Sequence, residues 1–259
     1  EVFRTVALEE QDTLKGEWKT GLPDSAVAAG FAHFLEKSAN VPVGVVISCW
    51  GSSSIEAWMP RDLTEKLPLF KQQIKEFDKN KEALSQIKRI IGSTKPRKNQ
   101  DDIFLRRQPN ILYNAMIAPL VPYACRGLIW YQGERNAANY DKLPKEPWFR
   151  RTIPMVGYGK ALKAWIERYR QEWKREDFHF MVVMLPGYAG TLKNVAEDPT
   201  VESWAWMREA QLEALELPHT SVANTIDLGH LTNIHPADKL PIGERLALLA
   251  QRDTLGKKI

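Results

Sequence analysis

The run Leu128-Ile129-Trp130-Tyr131 is apolar at every position and then breaks into Gln132-Gly133-Glu134. An apolar segment that does not alternate with polar residues fits a buried strand, of the kind that parallel sheets place between layers of helix. Val41 to Ser48 (Val-Pro-Val-Gly-Val-Val-Ile-Ser) is a second such segment, rich in β-branched residues. Phe178 to Leu185 and Ser221 to Ile226 read as further strands, and Val2 to Leu8 as a short one. Amphipathic helices fall between them. Asp24 to Lys37 has Asp24-Ser25 as a cap and Val27, Phe31, Phe34 and Leu35 on one face. Ile111 to Ala118 is stopped by Pro119 and Pro122, and Lys160 to Lys174, Ser203 to Leu215 and Lys239 to Arg252 complete the set. Strands alternating with helices predict an α/β fold with a mostly parallel sheet.

The length, 259 residues, suits one domain over 1–259. Residues 61–92 read as charged helices, part of an insertion at about 60–105, and 93–102 as a turn-rich surface loop. Residues 138–156 read as a long irregular connection with three prolines, a type that often forms lids or binding loops. No apolar run approaches the roughly 20 residues that span a bilayer, so membrane insertion is not expected. The net charge of +4 is small and dispersed, which argues against a nucleic-acid partner. Lys79 to Lys98 and Arg106-Arg107 read as solvated faces. Cys49 and Cys125 border apolar stretches, which fits reduced, buried packing and leaves a disulfide open. The five histidines have no metal-ligand spacing, and neither metal nor cofactor is expected.

Three loops that follow predicted strands carry the chemistry. The carboxyl ends of strands are where open α/β sheets bind ligands. In Cys49-Trp50-Gly51-Ser52-Ser53-Ser54, backbone N–H groups can face an anion, although a serine-rich turn also caps helices. Gln132 is a neutral side-chain donor suited to an oxyanion, although Gln-Gly-Glu also fits a polar loop that merely ends a strand. Asp227-Leu228-Gly229-His230 leads to Ile234-His235-Pro236. The proline holds His235 outside a helix interior, which suits a general base and equally a structural histidine.

In combination these blocks resemble the sialate O-acetylesterases of the SGNH hydrolase superfamily. The resemblance rests on Trp50-Gly51-Ser52-Ser53 with Ile55-Glu56-Ala57-Trp58, Tyr113-Asn114-Ala115-Met116-Ile117-Ala118-Pro119-Leu120, and Trp130-Tyr131-Gln132-Gly133-Glu134. Arg208-Glu209-Ala210-Gln211 and Ile234-His235-Pro236 with Lys239 complete it, over roughly residues 14 to 255. It implies a three-layer α/β/α sandwich and a serine esterase acting on an O-acetylated carbohydrate. It makes His235 the base, Gln132 and the Gly51 N–H the oxyanion donors, and Glu134 a supporting residue.

Trp50, Ser53, Arg135 and Asn136 are then expected at the substrate. The aromatic residues Trp58, Tyr131, Trp148, Tyr188 and Trp204 are consistent with a sugar-binding rim. The resemblance also implies export. The family's nucleophile lies in a Gly-Gln-Ser-Asn segment that this sequence lacks, so these 259 residues are expected to be a fragment. Ser52, Ser53 and Ser54 are the serines nearest the right loop. Thr232 and Asn233 stand where an aspartate is usual, which leaves Asp227 and Glu134 as candidates to orient His235. A non-catalytic carbohydrate-binding relative and an acetylxylan esterase are the competing readings.

Overall fold

The computed structural model describes residues 5–14, 16–140, 148–188 and 203–259. Along the chain run α1 (Ala26–Ala39), α2 (Arg61–Lys66), α3 (Pro68–Lys79), α4 (Lys81–Ile91), α5 (Asn99–Leu105) and α6 (Ile111–Met116). Then come β1 (Gly127–Trp130), α7 (Glu134–Tyr140), α8 (Trp148–Trp173), β2 (His179–Val183), α9 (Ser203–Leu212), β3 (Thr220–Ala223) and α10 (Leu240–Asp253). Two compact units result. One holds 18–47 and 124–259, the other 3–17 and 48–123.

The first unit is a three-layer α/β/α sandwich. Its sheet has the order β1-β2-β3, all parallel, with Trp130 beside Val182 and Val182 beside Val222. Side chains alternate across a strand. One face therefore presents Ile129, Met181, Val183 and Ala223 to Phe31 of α1 and Ile242, Leu246 and Ala247 of α10. α1 and α10 approach closely through two glycines. A Cβ on Gly243 would lie 2.5 Å from the Phe31 nitrogen. The opposite face presents Trp130 and Phe180 to Trp165 of α8, at 4.3 Å and 5.5 Å between ring centroids. Tyr169 stacks on Trp173 at 4.9 Å. Aromatic pairs, edge-to-face or stacked, add about 0.5–1.5 kcal/mol each beyond the area they bury.

Both faces of β2 are covered, which is why Phe180 to Val183 are apolar without alternation. Helix α1 starts where the cap was expected, with Ser25 Oγ accepting from the Ala28 N–H at 3.4 Å.

Several expectations are corrected. Val41 to Ser48 does not join the sheet and is partly exposed, with Val43 resting on the core shared by α1 and α10. Its β-branched composition marks an extended backbone but does not supply a partner. Residues 5–8 are not a strand either, and residues 1–4 of that predicted element lie outside the described residues. That segment is instead tied to α6, where Asn114 Nδ2 donates to the Ala7 and Leu8 carbonyls at 3.2 and 2.9 Å.

Residues 99–102 of the expected loop belong instead to α5 (Asn99–Leu105). α8 begins at Trp148, not Lys160, and carries Pro154 within it. Residues 141–147 of the predicted irregular connection lie outside the described residues. Neither cysteine is in a disulfide, and Cys49 is exposed rather than buried. Among the described residues no helix is long and apolar enough to cross a membrane.

Candidate functional site

The carboxyl end of β1 is held by two amides. Gln132 is buried, its Nε2 donates to Asn136 Oδ1 at 2.7 Å, and its Oε1 accepts from the Tyr158 hydroxyl at 2.9 Å. Those two bonds fix the orientation of the carboxamide, nitrogen toward α7 and oxygen toward α8. Gln211, fully buried on α9, donates to the Gln132 carbonyl at 2.9 Å and accepts from the Leu185 N–H at 2.9 Å. One side chain thus ties the loop after β1 to the segment after β2. Gly133 adopts φ +157°, and a Cβ there would sit 3.1 Å from Gln211 Nε2 and Leu185. Only glycine allows the turn and the close approach together.

Glu134 opens α7, and burial raises its carboxyl, opposed by backbone N–H groups and by the charge of Lys239. Burial lowers the Lys239 ammonium, and Glu134 counters that. Lys239 Nζ donates to the Tyr131 hydroxyl at 3.3 Å and lies 5.1 Å from the ring centroid. Burial, followed by the Glu134 charge, raises the Tyr131 phenol. Glu134, Lys239 and Tyr131 thus bring three ionisable groups with displaced protonation together at the carboxyl end of β1. Arg135 is half-buried beside them in the sequence.

The loop 226–239 completes this unit's share of the expected residues. Asp227 is gripped by Arg245 through two bonds of 2.6 Å, which draw its carboxyl down to about 2. His230 Nδ1 accepts from the Thr232 and Asn233 N–H groups at 3.2 and 3.0 Å. His235 is exposed, and its own N–H donates to Asn233 Oδ1 at 2.9 Å. Among the described residues, neither a carboxylate nor a serine hydroxyl is bonded to the His235 ring. Asp227 is engaged by Arg245, and Glu134 belongs to the Lys239 and Tyr131 group.

Trp50, Gly51, Ser52 and Ser53 belong to the other unit. The Ser53 hydroxyl donates to the Trp50 carbonyl at 2.7 Å and accepts from Trp58 Nε1 at 2.8 Å. It therefore shapes the turn that leads into Ile55–Trp58. Ser52 is exposed at φ +61°, and its hydroxyl accepts from Arg107 Nη2 at 3.1 Å. Trp50 is buried, with the Arg97 guanidinium 5.3 Å from its ring. Gly51 is exposed.

Tyr158 and Gln211 are the supports that motif reading does not assign. A lone glutamine on the stripe formed by Trp204, Met207, Gln211 and Ala214 was the available signal, since a buried amide must find partners. Tyr158 gave none, because its partner lies in a different element.

The family model for carbohydrate esterases described as sialic acid-specific acetylesterases matches residues 21–250. The chain belongs to this family. It is 27% identical over 255 residues to the sialate O-acetylesterase of Rattus norvegicus, covering 90% of this chain and 43% of the relative. Against the sialate O-acetylesterase of Homo sapiens it is 26% identical over 241 residues, covering 90% and 40%. A crystal structure described as a novel carbohydrate acetylesterase from Xanthomonas citri superposes with a TM-score of 0.72 at 31% identity. It covers 100% of this chain and 49% of that one. The chain thus spans less than half the length of the curated relatives it matches.

Proposed function

We propose that this chain acts in a serine esterase that removes O-acetyl groups from sialic acid or a related acetylated sugar, and that it supplies an oxyanion donor and the base. The observation that carries the reading is Gln132, an amide aimed by Tyr158 and Asn136 at the carboxyl end of a parallel strand, in a chain of this family. In the proposed chemistry a serine oxygen bonds to the acetyl carbonyl carbon, and His235 takes the hydroxyl proton. The carbonyl oxygen gains the negative charge, met by the Gln132 amide. The sugar oxygen leaves with the proton from His235, and water then releases acetate from the serine by the same steps.

Donors fixed before the reaction stabilise developing charge without reorganising, which is why the two bonds on the Gln132 amide matter. Glu134, with Lys239 and Tyr131, supports the loop that follows β1. Ser53 builds the Trp50–Trp58 turn. Export, so that the enzyme meets extracellular glycans, belongs to the same reading. The test is acetate release from O-acetylated sialic acid by the full-length protein. Hydrolysis lost in Gln132→Ala with the fold intact supports the assignment. No release from any O-acetylated sugar or aryl acetate overturns it.

A further inference from the structure

Arg208 lies on α9 between Trp204 and Gln211, four residues after the first and three before the second. These spacings put all three on one face of a helix. Both flanking residues reach the backbone beyond the strands. Trp204 Nε1 donates to the Pro186 carbonyl at 2.7 Å, and its ring lies 5.1 Å from that of Tyr188. Gln211 bonds the Gln132 carbonyl and the Leu185 N–H. The stripe that carries Arg208 therefore faces the loops at the carboxyl ends of β1 and β2.

Arg208 is half-buried, and its Nη1 is buried with no acceptor among the described residues. Among the described residues no carboxylate acts on its guanidinium, and burial alone lowers its affinity for the proton. Arg170, the buried arginine of α8, shows the contrast. Its guanidinium is bonded to the Phe178 and His219 carbonyls and to Thr220 Oγ1 at 3.2, 2.8 and 2.9 Å. A guanidinium taken from water without acceptors is costly, and its planar fork matches a carboxylate with two parallel bonds.

We propose that Arg208 binds the carboxylate of the sugar acid and so sets the preference for an anionic over a neutral acetylated sugar. The inference rests on the proposed sialate esterase reading for its ligand, while its test does not require turnover. Free sialic acid and its methyl ester are titrated against the full-length protein, which separates the charge from the sugar. The protein is expected to bind the acid more tightly than the ester by about 10-fold or more, the worth of a charge-assisted hydrogen bond. Arg208→Met is expected to abolish that difference.

Arg208→Lys keeps the charge without the fork, so it is expected to retain a reduced preference, and it serves alone if the methionine variant does not fold. Equal binding of acid and ester by the unaltered protein overturns the proposal, as does failure to bind either. An undiminished preference in Arg208→Met overturns it too, as does one in Arg208→Lys. A preference that depends on Arg208 in a protein that hydrolyses no acetyl ester upholds the anion site and defeats the esterase reading.

Discussion

The two ends of the three-stranded sheet are both built from buried polar side chains, and they differ in what those side chains are bonded to. At the amino end stand a serine, a histidine and an aspartate. His179 Nε2 is 2.8 Å from the Ser221 hydroxyl, its Nδ1 is 2.6 Å from Thr254 Oγ1, and Ser221 donates to Asp253. The aspartate there grips the serine rather than the imidazole Nδ1, so nothing drives the serine proton toward the ring. Ser221 and His179 are each only 2% exposed. Burial brings the imidazole down to about 4 despite the Asp253 charge, and the cluster pins the end of α10 to the sheet. At the carboxyl end the amides of Gln132 and Gln211 fix the backbone. Beside them lie groups whose ionisation burial displaces: Glu134, Tyr131, Lys239 and Arg208. The residue types of a catalytic triad do not make a site. Its bond directions and its access do.

Separating the two ends by mutation gives the sharpest contrast at Gln132. Gln132→Ala is expected to lower acetate release by about 10²–10³-fold, the usual cost of one oxyanion donor, with circular dichroism unchanged. Gln211→Ala deprives two buried backbone groups of their partner. It is expected to cost about 2–4 kcal/mol in denaturant unfolding and to reduce turnover, because Gln132 loses its anchor.

The amino end answers to pH instead. His179 has a folded value of about 4 against an ordinary 6.5, so between them the unfolded chain binds more protons. The stability that this histidine contributes is complete above 6.5 and is lost as pH falls toward 4, by on the order of 2–3 kcal/mol. Unfolding midpoints measured across that window check it, and His179→Gln should flatten the dependence. Ser221→Ala is expected to cost about 1–2 kcal/mol of stability with acetate release unchanged. Loss of activity there would move chemistry to the wrong end. Asp227→Asn, which only loosens the exposed pair with Arg245, is expected to leave turnover unaltered. A large drop would make Asp227 the partner of His235.

Much of the sandwich was legible because the signals were local. β1 and most of β2 are apolar runs, and α1 and α10 carry one-sided apolar stripes. Val41 to Ser48 misled because composition reports an extended backbone, whereas sheet membership depends on a neighbour. The helix over 148–156 was hidden by prolines that normally argue against one. At the site, Gln132 and Glu134 stood out as polar residues closing an apolar strand. Tyr158 and the unpaired state of Arg208 were invisible, because each depends on which side chains another element brings near. Asp227 read as a spare carboxylate, and its capture by Arg245 on α10 is likewise a tertiary fact.

The direct test of the central claim, that ligand chemistry belongs to the carboxyl end of the sheet, is resonance mapping with free sialic acid. Shifts are expected at Gln132, Gly133, Gln211 and Arg208, with His179, Ser221 and Thr254 unmoved. Shifts centred on His179 and Ser221, with Gln132 silent, would contradict it.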